Sequence, residues 1–319
     1  MIAAARSVLD ATGVEIEWDE RDAAGAADSI RANGVALKGP TSTPVAGARS
    51  LNIALRRELG LHASIRPVRF GGVDVVVARM NSEDLYAGIE WEPGSEGARE
   101  VMRLAGADLP EDTGLSLKPI SASEARRAMR TACAWAVAAG RERATIAHKA
   151  TVMRATDGVF LRVAREEAEA AGLECDDMLV DTVCGELARD PRRFDVLLAP
   201  VMYGDLLSDL AAGLAGGPGI APNANLGEGC AVFETVHGSA PRRAGRGVAN
   251  PFAAILAGAM MLRHLGEDAA ALGVEGAVAA CAERGVVTYD LTAGRDESSA
   301  PSTAEVAEAV VELAGSDPD

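Results

Sequence analysis

Val196-Leu197-Leu198-Ala199-Pro200-Val201-Met202-Tyr203-Gly204-Asp205-Leu206-Leu207-Ser208-Asp209-Leu210-Ala211-Ala212-Gly213-Leu214 is the stretch around which the chain is organised. The apolar residues up to 199 read as a buried strand, and beyond Pro200 the apolar spacing becomes helical. Asp205 and Asp209 are four apart, so a helix puts them on one face, one turn above the other. Two carboxylates at that spacing repel by a few tenths of a kcal/mol. A cation between them removes the repulsion, and an all-oxygen donor set suits Mg²⁺ or Mn²⁺. Alone, such a pair reads more simply as a solvated acidic face. The apolar flanks, and the turn-forming run Gly216-Gly217-Pro218-Gly219-Ile220-Ala221-Pro222, favour carboxylates that emerge from buried structure.

Working outward, strands alternate with helices, which predicts an α/β fold. Upstream, the periodicity predicts a helix over 2–12 and a strand Val14–Trp18. It then gives a short helix near Asp28, a strand Val35–Leu37 and a helix over 50–59. Leu51, Leu55 and Leu59 form one stripe of that last helix, with Ser50, Asn52 and Arg56 off it, beside the rigid loop Lys38-Gly39-Pro40-Thr41-Ser42-Thr43-Pro44. Val73–Arg79 is a strong buried strand ending in an arginine, and Tyr86 follows it. Residues 94–118 read as charged, irregular and protruding. Helices over 123–139, 151–171 and 181–189 surround a strand ending at Lys149. The C-terminal part gives helices over 250–265, 268–284 and 303–314 and a strand Val286–Tyr289.

Bulk properties narrow the possible partners. The 319 residues suffice for one large or two ordinary domains, and with aromatics at 3% the core must be filled by Ala, Val and Leu. A net charge of −16 argues against nucleic acid and anionic membranes as partners. The cysteines form no Cys-x-x-Cys pair, so reduced thiols in the cytoplasm are expected. No window reaches the roughly 18 apolar residues of a membrane span, and the first residues do not resemble a signal peptide.

Against that acidic background, Arg56, Arg66, Arg79 and Lys149 each stand beside an apolar element. Together they could bind carboxylates, which a guanidinium matches bidentately. Lys149 and Tyr86 are plausible proton-transfer groups. His237-Gly238 suggests a turn near a nucleotide. The residues by themselves support a metal-assisted enzyme acting on an anionic small molecule.

A further set of motifs runs in order along the chain: Lys38-Gly39-Pro40, Ser50-x-Asn52-x-Ala54-Leu55-Arg56, Arg66-Pro67, Asn81-Ser82-Glu83-Asp84-Leu85-Tyr86-Ala87-Gly88-Ile89-Glu90, His148-Lys149, Tyr203-Gly204-Asp205-x-x-Ser208-Asp209 and His237-Gly238-Ser239-Ala240-Pro241. In these the chain resembles the β-decarboxylating dehydrogenases, which act on isocitrate, isopropylmalate, homoisocitrate or tartrate. The resemblance implies an α/β isopropylmalate/isocitrate dehydrogenase-like fold. Residues 1–61 and 216–319 would form a large cofactor-binding domain, and 62–215 a small domain with a dimer clasp at about 84–122. It implies that Ser50, Asn52, Arg56, Arg66 and Arg79 bind the substrate. Asp205 and Asp209, with Asp181 from a second subunit, would hold Mg²⁺ or Mn²⁺. Lys149, also from the partner, would help remove the C2 hydroxyl proton, and Tyr86 would protonate the enolate left after loss of CO₂. The active site would thus be shared within a homodimer. Thr43, His237, Gly238, Ser239, Ala240, Arg242, Arg243, Asn250 and Tyr289 would bind the cofactor.

Ser50, Asn52 and Ser116-Leu117-Lys118-Pro119-Ile120-Ser121 resemble the isocitrate branch. Homoisocitrate, isopropylmalate, tartrate or a phosphonomethylmalate remain alternatives, as does a regulatory homologue without turnover. Arg242 stands where NAD-linked relatives place an Asp, and this favours NADP over NAD, as a cation suits the 2′-phosphate. Tyr289 agrees with that choice; Ala293 and Ala249 do not. The chain also departs from the family. Its opening strand and Gly-Asp-Gly-Ile-Gly-Pro-Glu loop are absent ahead of the first helix, and an upstream reading frame is expected to encode them. Thr151 stands where Asn is usual, and Met80 where Glu is.

Overall fold

The computed structural model describes residues 1–22, 25–41 and 50–315. In chain order its elements are α1 (Ile2–Asp10), α2 (Ala26–Asn33), β1 (Val35–Lys38), α3 (Leu51–Glu58), β2 (Leu61–Phe70), β3 (Val73–Met80), β4 (Glu90–Trp91), α4 (Glu96–Ala105), β5 (Leu115–Ser116), α5 (Ala122–Ala138) and β6 (Arg143–His148). They continue with α6 (Asp157–Ala170), β7 (Glu174–Leu179), α7 (Val180–Arg189), β8 (Val196–Ala199), α8 (Val201–Ala215), β9 (Pro222–Gly227), β10 (Ala231–Thr235), α9 (Phe252–His264), α10 (Asp268–Glu283) and α11 (Thr303–Ala314). Among the described residues no helix is long and apolar enough to cross a membrane.

The α/β class stands as predicted. An eight-stranded sheet runs in the order β1-β10-β9-β2-β3-β8-β6-β7. Its outer pairings are parallel, β1 with β10 at one end and β3, β8, β6 and β7 at the other; β10, β9, β2 and β3 meet antiparallel. β8 is buried throughout and β3 nearly so, because helices cover both faces: α5 and α6 on one, α8 on the other. At the β1 end, α9 lies on β9 and β10 and is itself covered by α1 and α10. The core is mainly Ala, Val and Leu, with Phe160, Phe233 and Phe252 as its large fully buried rings. β2 hydrogen-bonds to β9, so the sheet is continuous across the two segments assigned to separate domains.

Three local expectations are corrected. Val14–Trp18 is not a strand. Val14, Ile16 and Trp18 are half-buried against the core and Glu15 and Glu17 exposed, but among the described residues this extended segment has no ladder partner. Alternation reports which face is buried, whereas a strand also needs a neighbour. Val286–Tyr289 likewise forms no strand. Thr288 donates to Asp290 (2.5 Å), and the chain turns at once into a single 3₁₀ turn, Tyr289–Leu291. Residues 94–118 are not irregular. Ser95 caps α4 at one end, and Gly106, in the left-handed region, ends it. Beyond that helix, β4 pairs with β5. The longest strand, β2, escapes the periodicity because Pro67 interrupts it. The proline is tolerated because β2 pairs with β9 only as far as Ile65, leaving one side open there.

Candidate active site

The site is assembled where α8 crosses β2 and β3. Gly204 makes that approach possible, since a Cβ there would lie 2.4 Å from Arg79 Cβ. The closeness brings Arg79, which is fully buried, against the first turns of α8. One Arg79 terminal nitrogen donates to Val201 O (3.2 Å) and to Asp205 Oδ1 (2.8 Å). Arg66, two strand positions from Ser64, donates to the same Oδ1 (3.0 Å), to Ser208 Oγ (2.6 Å) and to Ser64 Oγ (3.3 Å). Tyr86 sits on a 3₁₀ turn, Leu85–Ala87, and its hydroxyl donates to Asp205 Oδ2 (2.7 Å). Arg57, one residue past Arg56, steadies that turn by donating to the Tyr86 and Ala87 carbonyls.

The electrostatics follow from this packing. Burial alone would raise the Asp205 carboxyl; Arg79, Arg66 and the Tyr86 hydrogen bond outweigh it and hold the group below its ordinary range. Burial, then the bond to Asp205, pushes the Tyr86 phenol up, so it stays protonated, as a proton donor must. Asp209 is exposed. Burial of its carboxyl region, opposed by Arg66 and reinforced by the Asp205 charge, raises it. Among the described residues, Arg79 Nε, its second terminal nitrogen and Arg56 Nε are buried with no hydrogen-bond partner. Buried donors left unmet are expensive, and an anionic ligand would satisfy them.

A second buried charge cluster adjoins the first. Glu234 on β10 accepts from Lys38 Nζ (2.5 Å), Arg56 (3.0 Å), Asn225 (2.8 Å) and Asn223 (3.2 Å). Burial opposes its ionisation, but Lys38 and Arg56 prevail and bring its carboxyl down to about 2. Asn223 also accepts from Ser64 (2.6 Å), which ties the two clusters together. Glu234, Lys38 and Ser64 carry no such role in the sequence reading. The available signal was a charged residue inside the apolar strand Ala231–Thr235, since buried charges are found paired.

The other expected site residues fall in three places. Asn52 accepts from Thr41 Oγ1 (2.9 Å), and Ser50 immediately precedes α3, the helix that carries Arg56. Among the residues expected to bind the cofactor, Ser239 N–H donates to Thr41 O (3.4 Å), and His237 is near enough to bear electrostatically on Asp209. Gly238 and Ala240 lie on the same loop, and Thr43 lies outside the described residues. Arg243 stacks over the Tyr289 ring at 4.9 Å, Arg242 is exposed with no partner among the described residues, and buried Asn250 donates to Asp290 (3.1 Å). Lys149 and Asp181 pair with each other, and among the described residues no hydrogen bond or ion pair joins them to Asp205. Nor does one chain gather three or more His, Cys, Asp or Glu side chains into a metal-holding group among those residues. It presents two carboxylates together, Asp205 and Asp209, whose hard oxygens suit a divalent cation.

An α/β sheet that carries buried arginines around a carboxylate and a protonated phenol has the groups needed to bind an acidic small molecule and move a proton on it. Residues 7–310 match the isocitrate/isopropylmalate dehydrogenase family, and the chain belongs to it. Members are NAD- or NADP-dependent decarboxylating dehydrogenases, and this chain is an enzyme of that class. Among solved structures, it is similar to isocitrate dehydrogenase from Methylococcus capsulatus, with 40% identity and a TM-score of 0.87, over 99% of this chain and 95% of that one. Among sequences, it is 38% identical to an NADP isocitrate dehydrogenase of Archaeoglobus fulgidus, over 89% of this chain and 78% of the relative. It is 40% identical to a mitochondrial NAD isocitrate dehydrogenase catalytic subunit of Arabidopsis thaliana, over 82% of this chain and 72% of the relative.

Proposed function

We propose that the protein oxidises and decarboxylates isocitrate to 2-oxoglutarate and CO₂, passing the hydride to NADP, as a homodimer with shared sites. The observation that carries this reading is Asp205. It is gripped by Arg66 and Arg79 and hydrogen-bonded by Tyr86, while Arg79 has buried donors with no partner among the described residues, which a carboxylate would satisfy. Ser50, Asn52 and Arg56, all on α3 or its cap, suit a substrate with a third carboxylate, and the isocitrate-specific names of the relatives above support the same substrate. Exposed Arg242, with Arg243 on Tyr289, suits a 2′-phosphate and so NADP.

Asp205 and Asp209, with Asp181 from a second copy, would hold Mg²⁺ or Mn²⁺. The cation would supply Lewis acidity at the C2 oxygen, and the nicotinamide a hydride acceptor. Arg56, Arg66 and Arg79 orient the carboxylates. Lys149 of the other copy takes the hydroxyl proton, and Tyr86, held protonated, returns one to carbon after CO₂ departs. Exposed apolar side chains on the site's own elements support a partner there. Leu206 is 58% and Val152 71% exposed, and Met202, Leu85 and Ile89 are also exposed. In this reading 1–61 and 216–319 form the cofactor domain and 62–215 the small domain. The β4–β5 ribbon lies within the clasp, and the enzyme works in the cytoplasm.

The test is absorbance of reduced nicotinamide, with isocitrate, homoisocitrate, isopropylmalate, tartrate and phosphonomethylmalate, each offered with NAD or NADP and Mn²⁺. Isocitrate with NADP is expected to lead. Faster turnover of another acid overturns the substrate assignment, and turnover with NAD alone overturns the role of Arg242.

A further inference from the structure

Three buried charged groups near the site take no part in the chemistry above. Asp84 and Asp157 are both fully buried, and the Lys118 side chain is 12% exposed. Asp84 holds a backbone conformation that favours glycine (φ 53°), as does Glu83 before it (φ 63°). For residues with a side chain that region is sparsely populated, and such strain persists only where the surroundings enforce it. Here Asp84 Oδ1 accepts from Leu85 N–H (2.8 Å), the first residue of the Tyr86 turn. Its Oδ2 accepts from Met202 N–H (2.9 Å), in the first turn of the helix that bears Asp205. Asp157 Oδ2 accepts from Lys149 N–H (2.7 Å). Between the two carboxylates stands the Lys118 ammonium, 2.5 Å from Asp157 Oδ1, 3.9 Å from Asp84 Oδ1 and 4.6 Å from the centre of the Tyr203 ring. The Pro119 carbonyl accepts from Asp84 N–H (2.8 Å), fastening the two loops.

We infer that Lys118 is a positioning residue that fixes, through Asp84, the Tyr86 turn and the start of α8 and, through Asp157, the backbone of Lys149. Each carboxylate uses one oxygen or more on a backbone N–H of a reacting element, and the single ammonium is the counter-charge they share. Removing it leaves two buried anions to repel each other and loosen both grips. The inference rests on the proposed shared site in one respect: Tyr86 and Asp205 then serve one centre and Lys149 the partner's, so Lys118 links two active sites through one chain.

The experiment compares Lys118→Met, Lys118→Arg and the full-length wild type by amide hydrogen exchange without ligands, and then by turnover. With Met, exchange at Met202 and at Lys149 rises together by about 10-fold or more, while β3 and α9 stay protected. The Arg variant keeps the charge and restores most of that protection. In turnover, Met lowers kcat by about 10-fold or more with the cofactor KM within about 2-fold, and Arg recovers it. A rise at one segment alone, none at either, or a uniform rise across the core overturns the inference. If the Met variant does not fold, Lys118→Gln, which keeps a donor but no charge, is read by the same criteria. The exchange arm needs no substrate. A wild type inactive on every hydroxy acid therefore overturns the proposed function while leaving the positioning role to be decided.

Discussion

Besides the metal-holding role proposed for it, Asp205 is the counter-charge of two buried arginines. Asp205→Asn is therefore expected to have two effects. Cation-dependent turnover should fall about 10³-fold or more, given the several kcal/mol a Lewis acid contributes. Stability near neutral pH should fall by roughly 1–3 kcal/mol, between the cost of breaking a fully buried pair and that of an exposed one. The figure is reduced because the Asp205 side chain is 36% exposed. An unchanged rate would remove Asp205 from the site. Its carboxyl lies below the ordinary range, so its stabilisation is present above that range and is lost as pH falls through the lowered value. Glu234 obeys the same sign more strongly. With its carboxyl down to about 2 from 4.5, it stabilises the fold above 4.5 and loses that contribution as pH falls toward about 2. The contribution is on the order of 3 kcal/mol. Glu234→Gln should flatten the denaturant-midpoint profile over that acid window. An unaltered slope would show that another group governs it. The residue scale is also where sequence was most informative: Arg56, Arg66, Arg79, Tyr86, Asp205 and Asp209 were each named from residue type and neighbouring apolar pattern.

At the scale of elements, the decisive contact is α8 on β3. Gly204→Ala puts a methyl 2.4 Å from Arg79 Cβ, so helix or arginine must move. Overpacking of this kind costs about 1–3 kcal/mol. The substitution should lower the melting temperature and weaken substrate binding together, as Arg79 shifts off Asp205. A variant with wild-type substrate affinity would mean that α8 has room to tilt. Elements were legible where one physical signal dominated, as in the apolar runs of β3 and β8 and the helical spacing of α8. They were not legible where two signals competed. Pro67 masks β2, and the alternation in Val14–Trp18 describes a half-buried segment that lacks a neighbour to pair with among the described residues.

At the scale of the whole molecule, Lys149 and Asp181 pair with each other, and among the described residues no hydrogen bond or ion pair joins them to Asp205 or Tyr86. A site shared between two copies makes a direct prediction. Lys149→Met and Tyr86→Phe should each be nearly inactive as pure proteins. Mixed after co-expression, they form heterodimers with one site bearing both defects and one bearing neither, so random assortment restores about a quarter of wild-type activity. No recovery in a verified heterodimer would place all the reacting groups in one chain.

By itself, the sequence determined the class of the fold and the family, and it named candidate reacting residues in the order they occur. The fold class rests on local periodicity, the candidates on residue types whose chemistry has few uses, and the family on motifs that recur in order along the chain. Only the tertiary structure decided which charges neutralise which: Glu234 with Lys38 and Arg56, Asp205 with two arginines, and Lys118 between Asp84 and Asp157. These partners are separated by up to 196 positions in the chain. What selects them is the desolvation of ions packed where β2, β3, β10 and α8 converge, and no spacing along the sequence records that. The strand–Pro–helix run from Val196 to Leu214 set out two carboxylates on one helix face; the packing of that face on Arg66, Arg79 and Tyr86 gave Asp205 and Asp209 different surroundings.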